Sequence, residues 1–284
     1  MKKIPRLVFF DNRFGSLGFA GIILAALGVL VLTTGRIEAR NLVPRAAGGL
    51  KLHYVPVKKA EHQHLEKMLK ESGLFDRMVA DTNNELVFPI EVPVNFLECE
   101  AIGEKDPINA YWDPDKQSIT ICYELMAKSE ELFKDDDTNA KDLADAVLGS
   151  TAWTFYHELG HGLIDIFKIP LTGKNEDAAD QISTYILLKA GDEGEKAAMS
   201  GAEDFYREAS EDKDLDDLAL ADTHSLDKQR FYNIMCWVYG TDEKKYSYLL
   251  KNVPELKERA ESCGEEFEKM NESWEKLLAS HMRK

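Results

Sequence analysis

His157-Glu158-Leu159-Gly160-His161 holds two histidines four residues apart. On a helix that spacing puts both imidazoles on one face, one turn from each other, where they can reach the same metal ion. His-Glu-x-x-His is the arrangement of zinc-dependent hydrolases: the histidines ligate Zn2+, and the glutamate, too short to ligate from between them, serves as general base toward a water. A catalytic zinc site takes three protein ligands and keeps one position open. Asp165 shares the face but is a poor third ligand, because eight residues of helix set it about 12 Å from His157 along the axis. Glu176 is the better candidate. It opens a new helix after the chain-reversing Ile169-Pro170-Leu171-Thr172-Gly173, and Asp180, one turn further on, can accept the second ring N–H of a ligating histidine and fix its tautomer. Asp177 is a reserve ligand. Charge developing on a scissile carbonyl needs a donor besides the metal. His224 in Asp222-Thr223-His224-Ser225 is the first candidate for that role, followed by Tyr232 and Arg230. Tyr111 and Trp112 can flank an extended substrate strand. His62 and His64, and the charged runs at 257–261 and 265–269, read as solvated helix faces.

The elements that must position these residues follow from periodicity and breakers. A helical pattern runs over 139–167, with Leu143, Val147, Leu148, Phe155 and Leu163 on its apolar side and the motif near its end, and Pro170 closes it. Asn175 can cap the next helix, 176–190, which stops before Gly191. Upstream, helices are expected over 60–72 and 75–80, and strands over 86–88 and 90–97. A hairpin is expected from 108–112 and 118–122, around Asp113-Pro114-Asp115-Lys116. Asp135 to Thr138 is an acidic loop that ends in helix caps. Downstream, 201–211, 227–240 and 255–280 are helical, and no strand signal recurs. The fold class is α+β: a small sheet or hairpin packed on the motif helix, with a mostly α-helical C-terminal half.

Leu17 to Leu32 is an apolar run without a charge, preceded by Lys2, Lys3, Arg6 and Arg13. It reads as an export signal, retained as a membrane anchor in preference to being cleaved, so residues 1–35 form a signal anchor or signal peptide. Residues 36–54 read as a linker and 55–284 as the functional domain, placed outside the cytoplasmic membrane, or secreted if the first segment is removed. Membrane contact is expected through that segment alone. Residues 1–51 carry eight Lys/Arg and two acids, which leaves 27 basic and 49 acidic residues after them, a net of −22. Such a surface repels phosphate backbones, which argues against nucleic-acid binding. Cys99, Cys122, Cys236 and Cys263 contain no C-x-x-C pair, so a zinc knuckle is disfavoured, and an exported chain with an even count points to two disulfides. Of the three possible pairings the favoured one joins Cys99 to Cys122 across neighbouring strands and Cys236 to Cys263 across two C-terminal helices.

His157-Glu158-x-x-His161 followed by Asn175-Glu176-x-x-x-Asp180 resembles the gluzincins, the thermolysin-like branch of the zincin metallopeptidases, over a shorter intervening loop. That resemblance implies a zincin-like fold with Glu176 as third zinc ligand and Asp180 orienting a histidine. The metzincin pattern is absent, since Ile164 and Phe167 stand where its glycine and third histidine would be. NAYWDPDKQSITICYEL, YHELGHGLIDIFKIPLTGKNEDAADQ and HSLDKQRFYNIMCWVYG are similar to an exported bacterial family of metallopeptidase type, domain of unknown function 4344, over most of residues 55–280. A zinc peptidase acting on a peptide or protein is therefore the leading expectation. An amide or ester hydrolase on cell-wall or small-molecule substrates uses the same centre, and a zinc-stabilised binding domain is the third reading. Retention of Glu158 argues against the last, because a structural site has no use for a base.

Overall fold

The computed structural model describes residues 48–135, 138–211 and 221–283. The expected signal segment lies outside the described residues, and among those described no helix is long and apolar enough to cross a membrane. The architecture is α+β, mostly helical around one four-stranded sheet.

The sheet has the order β1-β2-β4-β3, with β1 (Gly49–Tyr54), β2 (Glu91–Leu97), β3 (Ala110–Asp113) and β4 (Ser118–Cys122). β1, β2 and β4 are parallel, and β3 runs antiparallel to β4 at the edge. In β2 the alternation buries Val92, Val94 and Phe96 on one face. Pro93 sits opposite Lys51, one residue before the β2–β4 ladder begins at Val94 and Ile119, where its missing N–H costs little. The parallel β1–β2 connection is made by α1 (Gln63–Ser72) and α2 (Leu74–Glu85), which meet at left-handed Gly73 (φ 57°).

Sequence and structure part at several elements. Gly49–Tyr54, expected as linker, is a sheet strand; Asn83 on α2 fixes it, its Oδ1 accepting from the Leu50 N–H (2.7 Å) and its Nδ2 donating to the Leu50 carbonyl (2.9 Å). The expected strand over 86–88 is a single bridge between Leu86 and Met282. The hairpin forms as expected around 113–117, but the chain goes from β4 directly into α3 (Tyr123–Phe133). His62 is buried and paired through Nδ1 with Glu98 (3.1 Å), whose carboxylate also accepts the Lys58 and Lys59 N–H groups. Only His64 is the surface residue the sequence suggested; it meets Glu130.

α4 (Ala140–Phe167) is the centre of the domain. Asn139 caps it by accepting the Asp142 N–H (3.0 Å). Nearly every residue from Val147 to Ile164 is buried, because the helix packs on α3, the sheet, α5 (Asn175–Lys189) and α6 (Asp192–Glu211) at once. α6 starts nine residues earlier than its sequence signal. The C-terminal part adds α7 (Asp227–Thr241) and α8 (Ala260–Leu278). Both expected disulfides form: Cys99–Cys122 (Cα–Cα 5.3 Å) ties the end of β4 to the segment after β2, and Cys236–Cys263 (5.1 Å) ties α7 to α8.

Candidate metal centre

α4 and α5 approach closely enough to share a site because the motif contains small residues. A methyl group on Gly160 would lie 3.1 Å from the Ala179 Cα of α5, and one on Gly162 3.1 Å from the Trp112 ring of edge strand β3. These two glycines flank His161, so α5 closes on one side of the motif and β3 on the other.

The two histidines and Glu176 converge on one point. His157 Nε2 and His161 Nε2 are 3.1 Å apart, and Glu176 Oε2 lies 3.3 Å and 3.2 Å from them. A tetrahedral ion with bonds of about 2.0–2.1 Å needs ligand atoms about 3.3 Å apart. Glu176 Oε2 is buried, yet none of its close nitrogen neighbours is aligned to hydrogen-bond it. Two ring nitrogens facing each other and a buried oxygen without a hydrogen bond form a donor set that fits a cation.

Both histidines have a support. His157 Nδ1 is 2.8 Å from Asp180 Oδ1, an ion-pair contact whose angle falls short of a good hydrogen bond. Asp180 is held in turn by Arg230, with Nε to Oδ2 at 2.9 Å and Nη2 to Oδ1 at 2.8 Å. The Arg230 guanidinium is buried over the Phe205 ring (3.8 Å) and near Trp153 (5.4 Å), and Trp153 stacks on His157. Arg230 is therefore committed to Asp180 and does not serve as the oxyanion donor the sequence suggested. His161 Nδ1 hydrogen-bonds Asn175 Oδ1. Asn175, expected as a cap, is instead the first residue of α5, after Lys174 in the N-cap position.

His224 is brought to the site. Its Nε2 lies 2.9 Å from Glu176 Oε2, and Asp222 Oδ1 accepts from both its backbone N–H (2.7 Å) and its Nδ1 (3.0 Å). His157, Glu176 and His224 offer ligand atoms within 4.8 Å of one another. The other expected residues part ways. Asp177 is turned to the Ser225 hydroxyl, from which it accepts (2.7 Å), and Tyr232 packs against Phe231. Tyr111 and Trp112 lie on β3, with the Tyr111 hydroxyl bonded to Glu104 (3.1 Å). Glu158 is buried at 6 % exposure and makes no hydrogen bond or ion pair among the described residues.

The electrostatics follow from this crowding of opposite charges. Burial opposes a charged His157, but the carboxylates of Asp180 and Glu176 outweigh it and hold the metal-free imidazole up at about 9. Burial would raise Glu176, and three surrounding imidazoles push it far below the usual carboxylate range instead. Asp180 is likewise lowered against its burial, by Arg230 first and His157 next. His224 is raised, chiefly by Glu176 and against its own burial. Glu176 is thus ionised, and a cation bound beside it would displace the imidazole protons.

The sequence missed Arg230 as the partner of Asp180, and Asn175 as that of His161. No pattern marks the first, whose partners are 50 residues apart in sequence. The i to i+14 reach of the second across a turn is legible once α5 is placed.

No curated protein and no solved structure matches the chain. A sequence profile of the family described as "Putative metallopeptidase" matches residues 54–278. That span contains all of α4, α5 and α7, and with them the whole converging cluster, so the chain belongs to that family, domain of unknown function 4344.

Proposed function

We propose that this protein is a zinc-dependent peptidase with His157, His161 and Glu176 as metal ligands and Glu158 as general base. The observation that carries the proposal is the convergence of two imidazole nitrogens and one buried carboxylate oxygen, 3.1–3.3 Å apart, beside the buried Glu158, whose carboxylate makes no hydrogen bond among the described residues. Zinc bound there would polarise the scissile carbonyl and lower the pKa of a water to about 7.

The chain's own residues do the rest. Glu158 takes the proton of the attacking water and gives it to the leaving amine. Asp180 and Asn175 hold the two imidazoles in one tautomer and orientation. His224, oriented by Asp222, donates to the carbonyl oxygen as negative charge develops on it. Among the described residues β3 is an edge strand of the sheet and it packs near α4, so an extended peptide can add alongside it, flanked by Tyr111 and Trp112. The two disulfides support an exported domain.

The test is metal analysis of purified protein together with a Glu158→Gln variant on a broad peptide library. Both proteins are expected to hold one zinc per chain, with cleavage by the wild type alone. Zinc in both and cleavage by neither would overturn the peptidase reading in favour of a non-peptide hydrolase or a binding domain.

A further inference from the structure

The first turn of α5 does more than present Glu176. Two residues before it, Lys174 donates from Nζ to the backbone carbonyls of Asp222 (3.4 Å) and His224 (3.3 Å). One residue after it, Asp177 accepts from the Ser225 hydroxyl (2.7 Å). Residues 222–224 are exposed, the chain is irregular until α7 begins at Asp227, and the His224 side chain is 45 % exposed. The internal contacts of this segment, Asp222 to the N–H and Nδ1 of His224, fix the ring relative to its own segment. They do nothing to fix that segment relative to the metal site. The one direct contact with the centre, His224 Nε2 to Glu176 Oε2 (2.9 Å), is made to the atom proposed to hold the metal. A donor for a developing oxyanion must stand within a few tenths of an ångström of its place, so a further constraint on the segment is needed.

We infer that Lys174 and Asp177 are positioning residues, a two-point clamp that seats the segment 222–225, and with it His224, beside the metal centre. The clamp rests on the role proposed above for His224. Its two arms have opposite chemistry, a cation on two carbonyls and a carboxylate on a hydroxyl, and they straddle Glu176 in sequence. The turn that supplies the third ligand therefore also sets the distance between ligand and donor. Neither residue needs to touch the substrate.

The zinc-loaded wild-type protein is compared with Lys174→Met, Lys174→Arg, Ser225→Ala, His224→Ala and the double variant Lys174→Met/His224→Ala. Amide hydrogen exchange over 222–226 needs no substrate, and in Lys174→Met and Ser225→Ala it should accelerate about tenfold, with Lys174→Arg restoring protection. On a peptide that the wild type cleaves, kcat should fall about tenfold in Lys174→Met with KM within about twofold, and the double variant should be no worse than His224→Ala. Unchanged exchange in both clamp variants would overturn the inference. So would additive losses in the double variant, or loss of zinc from Lys174→Met, since the clamp acts on His224 and not on Glu176. If the wild type cleaves no peptide, the peptidase reading fails on its own account and the exchange measurement still decides the clamp.

Discussion

Asp180 answers to two partners, and replacing it by asparagine separates them. The carboxylate faces His157 Nδ1 on one side and carries a two-pronged contact from Arg230 on the other. Arg230 is only 8 % exposed and lies against Phe205 and Trp153, so its charge in Asp180→Asn loses its one hydrogen-bonded counter-ion and keeps only the weaker pull of Asp227 and Glu176. Leaving one member of a buried pair uncompensated costs about 3–5 kcal/mol, part of which the aromatic faces offset. For a domain of this size that lowers the melting temperature of the metal-free protein by about 10 °C. Separately, loss of the charged partner of His157 should weaken zinc binding about 10–100-fold. The double variant Asp180→Asn/Arg230→Met removes the orphaned cation and fills its space with an apolar side chain. It should recover most of the melting temperature and none of the zinc affinity. Calorimetry of the metal-free proteins and zinc titration against a chromophoric chelator read the two quantities independently. A double variant that stays as unstable as the single one would refute the buried-charge argument. One that regains wild-type affinity would refute the assignment of Asp180 as the support of His157.

Gly160→Ala should lower zinc affinity with little change in helix content, because its methyl group meets the Ala179 Cα at 3.1 Å and pushes α5 away from the motif helix; an unchanged chelator titration would contradict it. Asp204 on α6 is half-buried against α3 and α4, accepts from the hydroxyls of Ser129 (2.6 Å) and Ser150, and desolvation of its carboxyl raises its pKa. Its neutral form is the one the fold favours, so its contribution is full below the unfolded carboxylate value and is lost as pH rises through the raised one. Asp204→Asn should therefore match the wild type near pH 4 and melt progressively higher than it toward pH 8; thermal melts across that range that stay parallel would contradict this.

The parts of the site legible in the sequence are those fixed by local geometry. His157 to His161 and Glu176 to Asp180 are each one helical turn, so backbone periodicity alone puts each pair on one face, and the loop with Pro170 and Gly173 turns the second helix back on the first. Contacts between distant segments left no such mark. The burial of His62 leaves no local signal, because its partner Glu98 is 36 residues away and its ring lies against Tyr123 of α3. α3 was missed because β4 runs into it at Cys122 with no turn residue between. β1 was missed because two glycines precede its short alternation, and its stability comes from the Asn83 bridge and from pairing with β2. The first half of α6 hid behind acidic residues and Gly194. That glycine is needed where the helix start passes so close to the Leu187 carbonyl that a side chain would collide with it.

Zinc-edge X-ray absorption on the purified zinc-loaded protein tests the centre most directly. The account predicts a first shell of nitrogen and oxygen at about 2.0–2.1 Å, with outer scattering from two imidazoles and unchanged in His224→Ala. A sulfur shell, a third imidazole that disappears in His224→Ala, or a spectrum that survives Glu176→Ala unaltered would contradict it.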